Sequence, residues 1–131
     1  GVRTDEGWQG ADLIGIPVYG EDGYNKFVLA GECLDRAQEV LPEVKVGPFA
    51  TVQECSGTDE LGLERGARFG AVCENMEGAA AAHVCALYGV PFLELRAMSN
   101  RVEKRDREQW DLVGAVARAQ EAAARLLESE I

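Results

Sequence analysis

From residue 31 onward the apolar positions alternate between a helical and an extended period. In "GECLDRAQEVLPE", Cys33, Leu34, Ala37, Val40 and Leu41 share one helical face, and Pro42 ends the run. "VKVGPFATVQEC" (44–55) is rich in β-branched residues and predicts a strand, kinked at Gly47-Pro48. "SGTDELGLERGARF" predicts a helix with Thr58 as N-cap and Asp59 and Glu60 in its first turn. "GAVCEN" (70–75) predicts a short strand. "EGAAAAHVCALYG" predicts a helix closed by Gly89, with Pro91 two positions later. "VPFLELRAMSN" predicts another strand. The last segment places Leu112, Val116, Ala119, Ala123 and Leu126 on one face and Arg118, Glu121, Arg125 and Glu128 on the other. That is an amphipathic helix docking on a sheet or a subunit.

Residues 1–27 differ. They are glycine-rich with scattered aromatics (Trp8, Tyr19, Tyr24, Phe27), and Pro17 makes "LIGIPV" an edge or a loop. The alternation downstream argues for an α/β fold: a central sheet of parallel strands joined by right-handed crossovers and flanked by helices. Three or four strands leave one sheet edge bare. Residues 1–131 are therefore expected to form a single α/β domain that is the C-terminal part of a larger one. The opening "GVRTDEGW" likewise reads as internal sequence.

Composition narrows the function. The 131 residues are 47% hydrophobic and 27% charged, ordinary for a globular domain. A net charge of −10, from 23 acids and 13 bases, argues against nucleic acid as a partner. No apolar run is long enough for a membrane span and no signal segment is read at the start, so a cytoplasmic setting is expected. Cys33, Cys55, Cys73 and Cys85 lie apart in apolar contexts and are expected to be reduced and buried. The lone histidine, His83, has no partner for a metal site or a triad and is read as packing or surface. No phosphate-loop or dinucleotide glycine motif is present.

Ligands of open α/β sheets sit at the carboxyl ends of the strands. Three such ends are readable: Ser56, Gly57 and Thr58; then Asn75, Met76 and Glu77; then Ser99 and Asn100. Glu77 stands where a helix begins, and that helix's N–H groups and dipole favour its charged form. An ionised carboxylate accepts two neighbouring hydroxyl protons, as a ribose diol offers, or simply stabilises its own helix. Asn100 offers donor and acceptor together, suited to a heterocycle edge, or serves the turn after a strand. Met76 is core or ligand surface.

"ENMEGAAAAHVCALYGVPFLELRAMSN" resembles the nucleoside phosphorylase/nucleosidase family, which includes methylthioadenosine/S-adenosylhomocysteine nucleosidases. The shared frame is M-E-[GA]-x-A, then V-C, V-P-F and R-[AG]-x-S-[DN], and "TVQECSGTDE" is similar to the family's strand and S-G loop. The resemblance covers about Val44 to Asn100. The first 30 residues and "NRVEKRDREQWDL" are most similar to the menaquinone-pathway branch, which acts on futalosine. The fold implied is the family's three-layer phosphorylase/hydrolase-like domain, incomplete in this chain.

The resemblance implies roles. Glu77 matches the glutamate that binds the ribose hydroxyls, and Met76 the methionine beneath the sugar. Asn75 adjoins them in the same motif and is expected to bind substrate with them, and Ser99 matches a serine at the site. Asn100 replaces the acid that protonates purine N7 in adenine-specific members. An asparagine donates to N7 or O6 of a 6-oxopurine, which points toward futalosine, inosine or a similar nucleoside. The implied reaction is hydrolysis of the N-ribosidic bond to release hypoxanthine, with no metal or organic cofactor, Glu77 and Asn100 being the catalytic residues on this chain. Two departures stand out. Glu60 occupies the place where relatives carry a base-stacking aromatic, so either an aromatic elsewhere such as Phe49 stacks or the base is held differently, and the glutamate that activates water is expected upstream of Gly1. Phosphorolysis, methylthioadenosine/S-adenosylhomocysteine hydrolysis and an inactive assembly module remain alternatives. The family's habit implies a homo-oligomer.

Overall fold

The computed structural model describes residues 1–18, 23–24, 26–28, 31–104 and 106–129. Tyr19, one of the scattered aromatics, lies outside them. An N-terminal hairpin precedes the α/β part: β1 (Val2–Thr4) pairs antiparallel with β2 (Gly7–Gln9). This hairpin is not among the elements expected from the sequence. Trp8 of β2 packs edge-on against Phe69, ring centroids 5.5 Å apart, and the Arg68 guanidinium lies 5.1 Å over its indole.

After α1 (Gly31–Val40) comes a parallel pair, β3 (Phe49–Thr51) and β4 (Cys73–Asn75), joined through α2 (Asp59–Phe69). The register is Phe49↔Cys73, Ala50↔Glu74 and Thr51↔Asn75. The Val72 N–H to Pro48 O and Val52 N–H to Asn75 O bonds, both 2.8 Å, extend the ladder. Only the part of 44–55 beyond Gly47-Pro48 pairs. Next come α3 (Gly78–Tyr88), a 3-10 turn at Arg107–Gln109 and α4 (Leu112–Glu128). The architecture is α/β: a small parallel sheet with four α-helices among the described residues.

Local chemistry explains the helix ends. Thr58 caps α2, its hydroxyl accepting from Leu61 N–H. Gly70 and Gly89 close α2 and α3 at φ of 60° and 64°, backbone that a Cβ disfavours. The acids of "REQWD" and its neighbour act as caps: Asp106 starts the 3-10 turn, and Asp111 accepts from Gly114 N–H at 2.9 Å to start α4.

Three expectations need correction. Residues 90–98 form no strand among the described residues. A segment becomes a strand only where a neighbour supplies ladder hydrogen bonds. The bonds at the end of this one go elsewhere, from Arg118 to Met98 O and from Asp111 N–H to Ser99 O. On α4 the inward line is Ala115, Ala119, Ala122 and Leu126, whereas Leu112 and Val116 are 55% and 57% exposed. Small residues let α4 approach closely, and Arg125, expected on the solvent face, joins it to α1 through Val40 O and Glu43. Of the cysteines, only Cys73 is buried; Cys33 and Cys85 are half-buried and Cys55 is exposed, all four with free thiols.

The core is thin. Among the described residues its buried hydrophobic members are Ala11, Ala37, Leu41, Ala50, Cys73, Ala82 and Ala115, with a single large side chain, Leu41. The accessible surface is 9511 Å² for 14.2 kDa. A complete folded monomer of that mass exposes about 6,800 Å². A cavity of about 1030 Å³ lies between α1, α3, α4, β3 and residues 92–98, lined by Leu34, Leu41, Phe49, Phe92, Leu95 and Leu126 among others.

Candidate functional site

Because β3 and β4 are parallel, their carboxyl ends share one rim. Thr51 and Asn75, the last residues of the two strands, face each other in register. Asn75 is 7% exposed, and its Oδ1 accepts three hydrogen bonds: from the Thr51 hydroxyl (3.1 Å), Glu77 N–H (3.1 Å) and Gly78 N–H (2.8 Å). Thr51 Oγ1 in turn accepts from Ala79 N–H at 2.9 Å. Two side chains from the strand ends therefore satisfy the first N–H groups of α3. That helix terminus has no amide to spare for an anion, although such termini often hold one. Asn75 Nδ2 is buried without a hydrogen-bond partner among the described atoms.

This changes the status of Glu77. Its carboxylate makes no cap bond to α3, because the amides it would serve are already taken. The side chain is 71% exposed and pairs with Arg96 at 3.2 Å. Arg96 also donates from Nε to Glu94 at 2.7 Å. Burial works against the Arg96 charge, but the two glutamates outweigh it and hold its pKa above the ordinary value. Arg96 is thus a fixed cation that orients an exposed carboxylate on the rim. A bare Gly78 leaves room for this arrangement, since a Cβ there would lie 2.4 Å from a Glu94 oxygen.

The remaining candidates gather less tightly. Met76 is 47% exposed beside Glu77, and Cys55 Sγ lies 3.6 Å from its sulfur. Ser99 donates to Asn100 Oδ1 at 2.7 Å, and Asn100 Nδ2 donates to Arg101 O at 2.7 Å. Asn100 is exposed, four residues beyond Arg96 and so at most about 14 Å of chain from it. Phe49 starts β3 and lines the apolar cavity, away from the strand's carboxyl end. Glu60 is exposed in the first turn of α2. On α3, the His83 ring packs 5.3 Å from that of Phe27.

Arg96, Thr51, Glu74 and Arg65, which have no assigned role in the sequence expectations, also bond at this rim. Glu74 is the acid inside a predicted apolar strand, and that misfit was its signal. The carboxylate accepts Ser56 N–H at 2.7 Å, Ser56 Oγ–H at 2.6 Å and Arg65 Nη1 at 3.2 Å. Burial alone would raise its pKa, but the Ser56 hydrogen bonds and the Arg65 charge together hold it below the usual range. Burial pushes the neighbouring Cys73 thiol up. Among the described residues no three His, Cys, Asp or Glu side chains stand close enough to hold a metal ion. None of their helices is long and apolar enough to cross a membrane. The large cavity borders this site: Thr51, Gly78, Glu94 and Arg96 line it, whereas Asn75, Met76, Glu77, Ser99 and Asn100 do not.

The chain is 43% identical over 82 residues to a futalosine hydrolase of Acidothermus cellulolyticus, covering 62% of this chain and 34% of that protein. It is 41% identical over 87 residues to a futalosine hydrolase of Thermus thermophilus, covering 66% and 39%. A third futalosine hydrolase, of Streptomyces coelicolor, is 38% identical over 94 residues, covering 71% and 40%. The chain thus spans between a third and two fifths of the length of these relatives. No solved structure matches. The family described as the phosphorylase superfamily matches residues 20–131, nearly the whole chain, and the protein belongs to it.

Proposed function

We propose that this chain is the C-terminal part of a larger nucleosidase domain whose rim hydrolyses the N-ribosidic bond of a 6-oxopurine nucleoside. Futalosine is the substrate the names of the relatives favour. The products are hypoxanthine and dehypoxanthine futalosine, within cytoplasmic menaquinone biosynthesis. The observation that carries the reading is Glu77: an exposed carboxylate, released from capping its helix and held by Arg96.

Cleavage builds positive charge on the ribose as the base departs. A carboxylate that accepts the ribose hydroxyls stabilises that charge more in the transition state than in the ground state. Arg96 fixes the direction of Glu77, and Met76 floors the sugar. Asn75 and Thr51 hold the start of α3, so that Glu77 emerges at a set height above the strands. Asn100 donates to the leaving base near N7 or O6, with Ser99 orienting its amide. The residue that activates water belongs to the remainder of the domain.

The excess surface and the large apolar cavity support the larger domain, because both are what an unfinished core leaves. Val84, Leu87 and Tyr88 of α3, at 55%, 65% and 79% exposure, suit burial in a homo-oligomer.

The reaction class is tested with inorganic phosphate. Turnover by the full-length protein is expected to be the same with and without millimolar phosphate, and to form no sugar 1-phosphate. A rate that requires phosphate would make the protein a phosphorylase.

A further inference from the structure

The loop between β3 and α2 is tied to β4 by a group that neither the motif nor the proposed reaction uses. Glu74 lies in the middle of β4, and its side chain is 11% exposed. Ser56, in that loop, is 7% exposed. One carboxylate oxygen takes the Ser56 N–H, and the other takes the Ser56 hydroxyl and Arg65. Arg65, from α2, also donates to Ser56 Oγ at 3.0 Å and Glu54 O at 2.8 Å. An amide, a hydroxyl and a guanidinium converge on one anion, the donor set of an anion cradle filled by the protein's own side chain. The residue between Glu54 and Ser56 is Cys55, whose sulfur touches Met76. Only Asn75 separates Glu74 from Met76, so the loop is held to the same strand end at two points.

We infer that Glu74 is a positioning residue: by filling the cradle under residues 54–56 it seats Cys55 behind Met76 and so fixes the floor of the nucleoside site. This inference rests on the proposed role of the rim as a nucleoside site. Its chemistry requires a carboxylate. Glutamine has one acceptor oxygen for the three donors, and its NH2 turns toward Arg65 or the Ser56 hydroxyl. Alanine leaves an empty, buried cradle with a cationic wall. A staple serving stability alone would need Glu74 and Arg65 but would not couple them to the sugar floor.

The test uses the full-length protein with the variants Glu74→Ala and Glu74→Gln, and formate as a carboxylate small enough for the emptied cradle. Glu74→Ala is expected to raise the nucleoside KM about tenfold while kcat stays within about threefold of wild type. Added formate is expected to restore most of that KM in Glu74→Ala and to change nothing in wild type or in Glu74→Gln, whose side chain fills the space. An unchanged KM in Glu74→Ala, or a raised KM that formate leaves untouched, overturns the inference. Should Glu74→Ala not fold, Glu74→Gln decides alone: a raised KM at near-normal kcat supports it, and a wild-type KM overturns it. A wild-type protein that turns over no nucleoside defeats the proposed function instead. Hydrogen exchange at the Ser56 amide then decides the cradle: protection lost in Glu74→Gln supports it, and protection equal to wild type overturns it.

Discussion

Replacing Glu77 by alanine in the full-length protein is expected to lower kcat/KM for the nucleoside about 10²–10³-fold, the usual cost of removing one preorganised group that stabilises transition-state charge. The same change is expected to leave folding stability within about 0.5 kcal/mol, as for surface positions that cap nothing. The two halves of this result belong together. The α3 amides that an N-terminal acid would serve are satisfied by Asn75 and Thr51, so α3 does not depend on the Glu77 carboxylate. The carboxylate is spent on Arg96 and on whatever approaches the rim. Kinetic assay beside thermal unfolding checks both. Lost stability with preserved activity would return Glu77 to the role of a helix-stabilising acid. Glutamine at this position keeps the shape but loses the charge, so it falls between wild type and alanine.

The second large effect is expected at Asn100. Asn100→Asp replaces a side chain with both donor and acceptor by one that, when ionised, only accepts. A 6-oxopurine presents acceptors at O6 and N7, and these would face a carboxylate. Adenine presents a 6-amino donor, which the carboxylate welcomes, and N7 gains a proton when the aspartic acid is neutral. Mispaired polar groups in a closed site discriminate strongly, so kcat/KM for the hypoxanthine nucleoside should fall by about 10²-fold or more. Activity on the corresponding adenine nucleoside should rise until the preference inverts. Parallel assays on the two nucleosides decide this, and an unchanged ratio would remove Asn100 from base recognition. In this structure the Asn100 amide is engaged by Ser99 and the Arg101 carbonyl, so reading a base requires it to turn.

Much of this architecture was legible in the sequence because it rests on local chemistry. Thr58 starts a helix through its side-chain cap, and Gly89 and Pro91 end one through backbone geometry; the structure has α2 and α3 at these places. Residues 90–98 show the limit: their apolar run was read as a strand, but a strand also needs a paired neighbour, which is a property of the assembled sheet. The α4 face shifted for a related reason. Leu112 and Val116 are the more hydrophobic residues, yet Ala115 and Ala119 face inward because close approach favours small side chains there.

At the site the same division holds. Glu77, Met76 and Asn75 stand together at a strand end because they are consecutive in a strand-to-helix junction. Arg96 lies 19 residues from Glu77 and meets it only through the fold. Thr51 and Arg65 likewise act across the parallel pair and the crossover helix, where no periodicity points to them. Asn75, expected as a ligand contact, spends its oxygen on Thr51 and the start of α3, while its Nδ2 has no hydrogen-bond partner among the described atoms.

The most direct measurement of the central claim is product release from futalosine by the full-length protein in phosphate-free buffer. Hypoxanthine is expected in a one-to-one ratio with consumed futalosine, with that release abolished or slowed as stated in the Glu77→Ala protein. Intact futalosine after prolonged incubation with the folded wild-type protein would contradict it.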